Sequence, residues 1–198
     1  MNDTAQLYDA ECRRLYLSSA EWDAFLETVT KADRPTWTLC GMLYCTGCRI
    51  SEALALTPRR VDLNDQTLIF ETLKKRRKKV YRAVPVPEAL LDDLALVHGI
   101  REAIKRQKTD MLDAPLWPMS RVTAWWQVSA VMIAAGIEDG PHRCPKGLRH
   151  AYAIHALSKK VPLNMVSKWM GHAQMETTAI YANAVGEEQQ SIAARMWT

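Results

Sequence analysis

TLIFETLKKRRKKVYRAVPV, residues 67–86, carries the one convincing strand signal in this chain of 198 residues. Its first half, Thr67 to Leu73, gathers Leu68, Ile69 and Phe70. Its second half, Val80 to Val86, alternates apolar and polar residues before Pro87. Two such runs on either side of a polar turn predict a β-hairpin. The turn is a block of six consecutive cations, Lys74, Lys75, Arg76, Arg77, Lys78 and Lys79. Asn64-Asp65 supplies a turn ahead of the first strand.

Outward from the hairpin the patterning is helical. Upstream, Ser18 and Glu21 form a capping-box pair. Trp22, Phe25, Leu26 and Val29 follow at i, i+3, i+4 and i+7, which predicts a helix over 18–31. Pro35 suits a helix start, and Trp37 to Cys45 is almost wholly apolar, as a buried helix would be. Gly47 ends it, and Ile50 to Leu56 forms the next. Downstream, helices are expected at 87–97, 100–108, 120–135, 146–158, 162–170, 174–184 and 187–197, with breaks at glycines and prolines. Residues 1–17 read as a loosely held lead-in to a single domain over 18–198. The expected fold is therefore mainly α with one small antiparallel hairpin or sheet.

The composition is that of a globular protein, 48% hydrophobic and 24% charged, which excludes a disordered or collagen-like chain. Met1 to Arg14 has no apolar core of the kind a signal peptide needs. No apolar run approaches the roughly 20 residues of a membrane span. A soluble cytoplasmic protein without a membrane partner is expected. Cys12, Cys40, Cys45, Cys48 and Cys144 make an odd count, which argues against a disulfide framework. Cys40, Cys45 and Cys48 lack a fourth ligand at a finger-like spacing and read as small buried hydrophobes. The net charge is only +4, but the hairpin cations, joined by Arg82, Arg143, Lys146 and Arg149, predict a basic surface for a polyanion.

Three segments carry chemistry. The first is Thr46-Gly47-Cys48-Arg49-Ile50-Ser51-Glu52. The second is Lys146-Gly147-Leu148-Arg149-His150. The third is Met170-Gly171-His172, with Thr178-Ala179-Ile180-Tyr181-Ala182 beyond it. Cutting a phosphodiester without metal requires a nucleophile, cations on the non-bridging oxygens and an acid for the leaving oxygen. Tyrosine, paired arginines, lysine and histidine can meet those needs, and no carboxylate cluster suggests a two-metal alternative.

In these segments the chain resembles the tyrosine recombinase (phage integrase) family. That family shows Thr-Gly-x-Arg-x-x-Glu, then His-x-Leu-Arg-His, then Leu-Gly-His, then a tyrosine nine residues on, where Tyr181 stands in this chain. Each motif alone is weak; all of them, in order and at this spacing, are specific. The resemblance covers about Arg14 to Ala184.

It implies a cofactor-free strand transferase acting on double-stranded DNA. Arg49 and Arg149 would clamp the scissile phosphate, a role suited to arginine's planar fork. His172 would support the charge of the transition state. Tyr181 would attack and leave a 3′-phosphotyrosine with a free 5′-hydroxyl. The family places a general-acid lysine on the hairpin, which aligns with Lys74 or, since this tip is long, with Lys75. Lys75, Arg76, Arg77, Lys78 and Lys79 would then grip phosphates or stand in solvent. Lys146 replaces the family's first histidine; it can donate to a phosphate but is a poor base at neutral pH. Glu52 reads as an orienter of the arginine pocket.

Full-length members also carry an N-terminal helical clamp domain, for which there is no room before Arg14. Strand exchange implies four protomers on two DNA sites, with a monomer expected when free. The apolar tail residues Ile192, Met196 and Trp197 would dock in cis or on a neighbouring subunit. The rival reading is an accessory protein that binds DNA on the same fold without cutting it. The remaining residues have plainer readings. His150 and His155 are expected to be core or surface histidines, and His142 and His98 loop residues. Trp169, and the group Val122, Trp125, Trp126, Met132 and Ile133, are expected to pack.

Overall fold

Ser18 opens the first helix as its spacing predicts. In the computed structural model, which describes residues 6–72, 80–172, 175–184 and 197, the Glu21 N–H donates to Ser18 Oγ and the Ser18 N–H donates to a Glu21 carboxylate oxygen. The helix, α1 (Ser19–Val29), buries Trp22, Phe25 and Val29, whereas Leu26 turns to solvent. Asp33 caps α2 (Arg34–Thr46) by accepting from the Thr36 N–H. Leu39, Cys40, Met42 and Leu43 of α2 are almost sealed from water, so this helix is the axis of the core. The thiols of Cys40 and Cys48 lie in that core, and burial pushes both up to about 12.

After α3 (Ile50–Leu54) and a 3-10 turn (Pro58–Arg60) comes a three-stranded antiparallel sheet in the order β1 (Val61–Asp62), β2 (Thr67–Glu71), β3 (Tyr81–Pro85). The expected hairpin is present, with Leu68 opposite Val84 and Phe70 opposite Arg82. The short β1 was not anticipated, since two residues are too few to show alternation. The basic tip, Lys74 to Lys79, lies outside the described residues.

The rest is helical: α4 (Glu88–Val97), α5 (Ile100–Arg106), α6 (Thr109–Asp113), α7 (Arg121–Ala134), α8 (Pro145–Ser158), α9 (Leu163–Met170), α10 (Glu176–Ala179) and a 3-10 helix (Ile180–Ala184). The expected 100–108 helix stops early because Gln107 adopts a left-handed conformation. The chain then makes α6, which Arg59 ties down through Asp113. The expected helix at 187–197 lies outside the described residues except for an exposed Trp197.

Two expectations need correction. Residues 6–17 are not a loose lead-in: Leu17 is buried, the Leu15 N–H donates to the Leu7 carbonyl, and Arg14 pairs with Glu21. The α7 group does not pack as a unit either. The inward stripe is Ala124, Val128, Val131 and Met132, at i, i+4, i+7 and i+8, and this phase rotates Val122, Trp126 and Ile133 into solvent. Among the described residues no helix is long and apolar enough to cross a membrane.

Candidate active site

Arg149 joins two turns that are far apart in sequence. It lies buried on α8, where Nη1 donates to the Gly47 carbonyl at 2.6 Å and Nη2 to the Met170 carbonyl at 2.9 Å. Gly47 is the left-handed cap of α2, and Arg49 follows two residues later. Met170 ends α9, and His172 follows two residues later. One guanidinium thus brings Arg49 and His172 to a common centre. It spends two of its N–H groups doing so and retains others for a ligand. Burial, with the neighbouring Arg49 charge, pulls the Arg149 guanidinium down to about 10, so it stays charged at neutral pH.

Gly47 is required for this geometry. Its φ is +57°, and a Cβ there would meet the Tyr152 ring at 2.3 Å. Gly171 is similar: it caps α9 at φ +69°, and a Cβ would stand 2.8 Å from Arg82 Nη1.

Arg49 is the N-cap of α3 and is half-buried. Its N–H donates to Glu52 Oε2 at 2.9 Å and its Nη1 to Oε1 at 3.1 Å. The expected orienting role of Glu52 therefore has a concrete form. Its carboxylate also accepts Arg82 Nη2 at 2.6 Å. Arg82 Nε reaches the Trp169 carbonyl at 2.8 Å, so Glu52 and Arg82 link α3, the sheet and the end of α9. Burial works to raise the Glu52 carboxyl, but the Arg82 guanidinium, the Arg49 N–H and the Arg149 charge outweigh it and hold the group below its ordinary value.

Arg82 is thus not part of a basic surface. It is 7% exposed, with its guanidinium over the Phe70 ring. The sequence did hold a signal: in a period-two strand Arg82 shares a face with Val84, so its charge needed a buried acid.

Tyr181 lies on the last 3-10 helix and is 1% exposed. His172 presents its ring roughly parallel to the Tyr181 ring, with centroids 6.4 Å apart and 18° between planes. His172 Nδ1 is hydrogen-bonded to Thr178 Oγ1 at 2.7 Å. His150 Nδ1 is hydrogen-bonded to Tyr181 Oη at 2.8 Å. His150 was expected to be an ordinary core or surface histidine; it is buried, as a core residue is, but it touches the phenol. His155, by contrast, stacks on Trp22 as a packing residue. His98 caps α4 and is hydrogen-bonded to Thr38.

Arg49, Arg149, His172 and Tyr181 are therefore drawn together. Lys146 stands exposed on the first turn of α8. Lys74, Lys75, Arg76, Arg77, Lys78 and Lys79 lie outside the described residues. His150, Arg82 and Thr178 join the same cluster, although the sequence placed Arg82 on a basic surface, made His150 a core or surface histidine and gave Thr178 no role of its own.

Residues 15–188 match the model of the phage integrase family. The chain belongs to the phage integrase family. It is similar to tyrosine recombinase XerD of Mycobacterium leprae, 34% identical over 172 residues, which cover 80% of this chain and 53% of that protein. It therefore spans about half the length of this curated relative. Its fold resembles that of XerH recombinase bound to a palindromic difH substrate in a post-cleavage complex, with TM-score 0.72 and 22% identity over 99% of this chain and 57% of that one. It also resembles the catalytic domain of bacteriophage HP1 integrase, with TM-score 0.64 and 21% identity over 90% of this chain and 93% of that one. The mainly helical fold with its small antiparallel sheet is thus that of a phage integrase catalytic domain.

Proposed function

We propose that this chain is the catalytic domain of a site-specific recombinase that cuts and rejoins double-stranded DNA through a 3′-phosphotyrosyl bond at Tyr181. The observation that carries the reading is the junction at Arg149, which gathers Arg49 and His172 beside the buried Tyr181 phenol. Family membership and the DNA-bound state of XerH support it.

Arg49 and Arg149 bind the non-bridging oxygens of the scissile phosphate. Fixed cations in a water-poor site stabilise the charge that builds there. His172, held by Thr178, adds a third contact. Tyr181 Oη forms the new bond to phosphorus as the bond to the 5′-oxygen breaks, and Lys74, or Lys75 beside it, protonates the leaving oxygen. The 5′-hydroxyl of another strand reverses these steps. The phosphotyrosyl bond conserves the energy of the broken phosphodiester, so the reaction needs neither ATP nor metal. The remaining hairpin cations and Lys146 contact neighbouring phosphates, which makes binding strongly salt-dependent. Exchange proceeds in a tetramer on two sites, in the cytoplasm.

The test uses nicked suicide duplexes tiled across the DNA flanking the coding sequence, incubated with the protein in EDTA. A covalent protein–DNA band is expected. DNA binding without any adduct on any duplex would replace this reading with that of a non-cleaving accessory protein.

A further inference from the structure

We propose that His150 is a catalytic residue: it takes the phenolic proton from Tyr181 as the phosphotyrosyl bond forms and returns it when the strand is resealed. The inference rests on Tyr181 being the nucleophile.

A tyrosine hydroxyl ionises near pH 10 and is a weak nucleophile at neutral pH. It needs a base within hydrogen-bond reach. His150 Nδ1 is at 2.8 Å from Tyr181 Oη, with the ring centroids 5.5 Å apart. Both groups are buried, so bulk water does not compete for this proton. The helix places His150 directly after Arg149. Consecutive helical residues diverge by about 100°. Arg149 accordingly faces the Gly47 and Met170 carbonyls, while His150 faces the 3-10 helix that carries Tyr181.

Other groups fit the task less well. Lys146 is exposed one turn earlier, and an ammonium has no lone pair to offer. His172 has its Nδ1 engaged by Thr178. A neutral imidazole has one acceptor nitrogen, and the proposed step uses the tautomer whose lone pair is on Nδ1, the nitrogen 2.8 Å from the phenol oxygen.

The step balances. The Oη–H bond breaks and its proton goes to Nδ1; the Oη–P bond forms; the P–O5′ bond breaks and that oxygen takes a proton from the hairpin acid. The imidazolium holds the Tyr181 proton for the life of the intermediate. On resealing it protonates the departing phenolate, so the residue that activates the nucleophile also improves the leaving group.

The test compares wild type, His150→Ala and His150→Asn on the nicked duplexes, each with tyrosine or 3,5-difluorotyrosine at position 181. The fluorinated phenol ionises near neutral pH and has little need of a base. Asparagine offers an acceptor near the position of Nδ1 but cannot take the proton, and its size preserves the fold. With tyrosine, both variants are expected to form adduct about 10²- to 10⁴-fold more slowly than wild type. Their DNA binding is expected to be unchanged. Difluorotyrosine is expected to restore at least a tenfold gain in the variants and a smaller one in wild type. His150→Asn cutting at the wild-type rate, or slow variants that difluorotyrosine fails to rescue, would overturn the proposal. Failure of wild type itself to form adduct would instead overturn the recombinase reading, and this inference with it.

Discussion

Arg82 Nη2 stands 2.6 Å from Glu52 Oε2, and the two side chains are 6% and 0% exposed. A pair so buried stabilises little over an apolar substitute, but losing one partner strands a charge in the core. Glu52 also holds Arg49, so the pair connects stability to the proposed phosphate site. Replacing Glu52 with Gln is expected to cost about 3–5 kcal/mol in urea unfolding. A variant as stable as wild type would mean that the carboxylate does not compensate these arginines.

Gly47→Ala should damage the same junction from the other side. A non-glycine residue in the left-handed region costs about 1–3 kcal/mol, to which the contact with Tyr152 adds. A lower melting temperature and slower adduct formation are expected together. Unchanged values for both would show that the α2 cap does not set the position of Arg49.

Thr178→Val keeps the shape of the side chain and removes the bond to His172 Nδ1. A net hydrogen bond is worth about 0.5–1.5 kcal/mol, so adduct formation is expected to slow about 3- to 10-fold. Circular dichroism and DNA affinity should stay as in wild type. An unaltered cleavage rate would remove Thr178 from the site.

Acid sensitivity has a defined window. Burial works to raise the Glu21 carboxyl, but its pairing with Arg14 and the Ser18 N–H outweigh this and bring it down to about 2, against an ordinary 4.5. The folded group binds its proton less readily than the unfolded one. Its stabilisation is therefore complete above about pH 4.5 and is lost as pH falls toward 2. Glu21→Gln is expected to flatten the dependence of the urea midpoint on pH in that window, with a residual slope from Glu52. An unchanged slope would mean that the Arg14 pair does not persist in solution.

The fold was largely legible because periodicity reports burial. The capping box at Ser18, the apolar α2 and the alternation in β3 each name a face and what must cover it. The misreading of α7 has a physical cause. Hydrophobicity marked Val122, Trp126 and Ile133 for the interior, but a helix buries one stripe and Ala124 to Met132 defined it. Of the candidate cluster, Arg49, Arg149, His172 and Tyr181, which the structure brings together, were named by motif spacing. His150 and Arg82 were not, because their importance lies in contacts 31 and 30 residues away in sequence. The inward position of Arg82 in β3 was the available clue.

The most direct measurement locates the covalent bond. The protein would be trapped on a cleaved suicide duplex in EDTA, digested with nuclease and protease, and its nucleotidyl peptide sequenced by mass spectrometry. The released strand would be tested for end-labelling by a polynucleotide kinase. The account predicts a 3′-linked nucleotide on Tyr181, a free 5′-hydroxyl that accepts the label, and no adduct from Tyr181→Phe. A nucleotide on another residue, or equal adduct from the Phe variant, would contradict it.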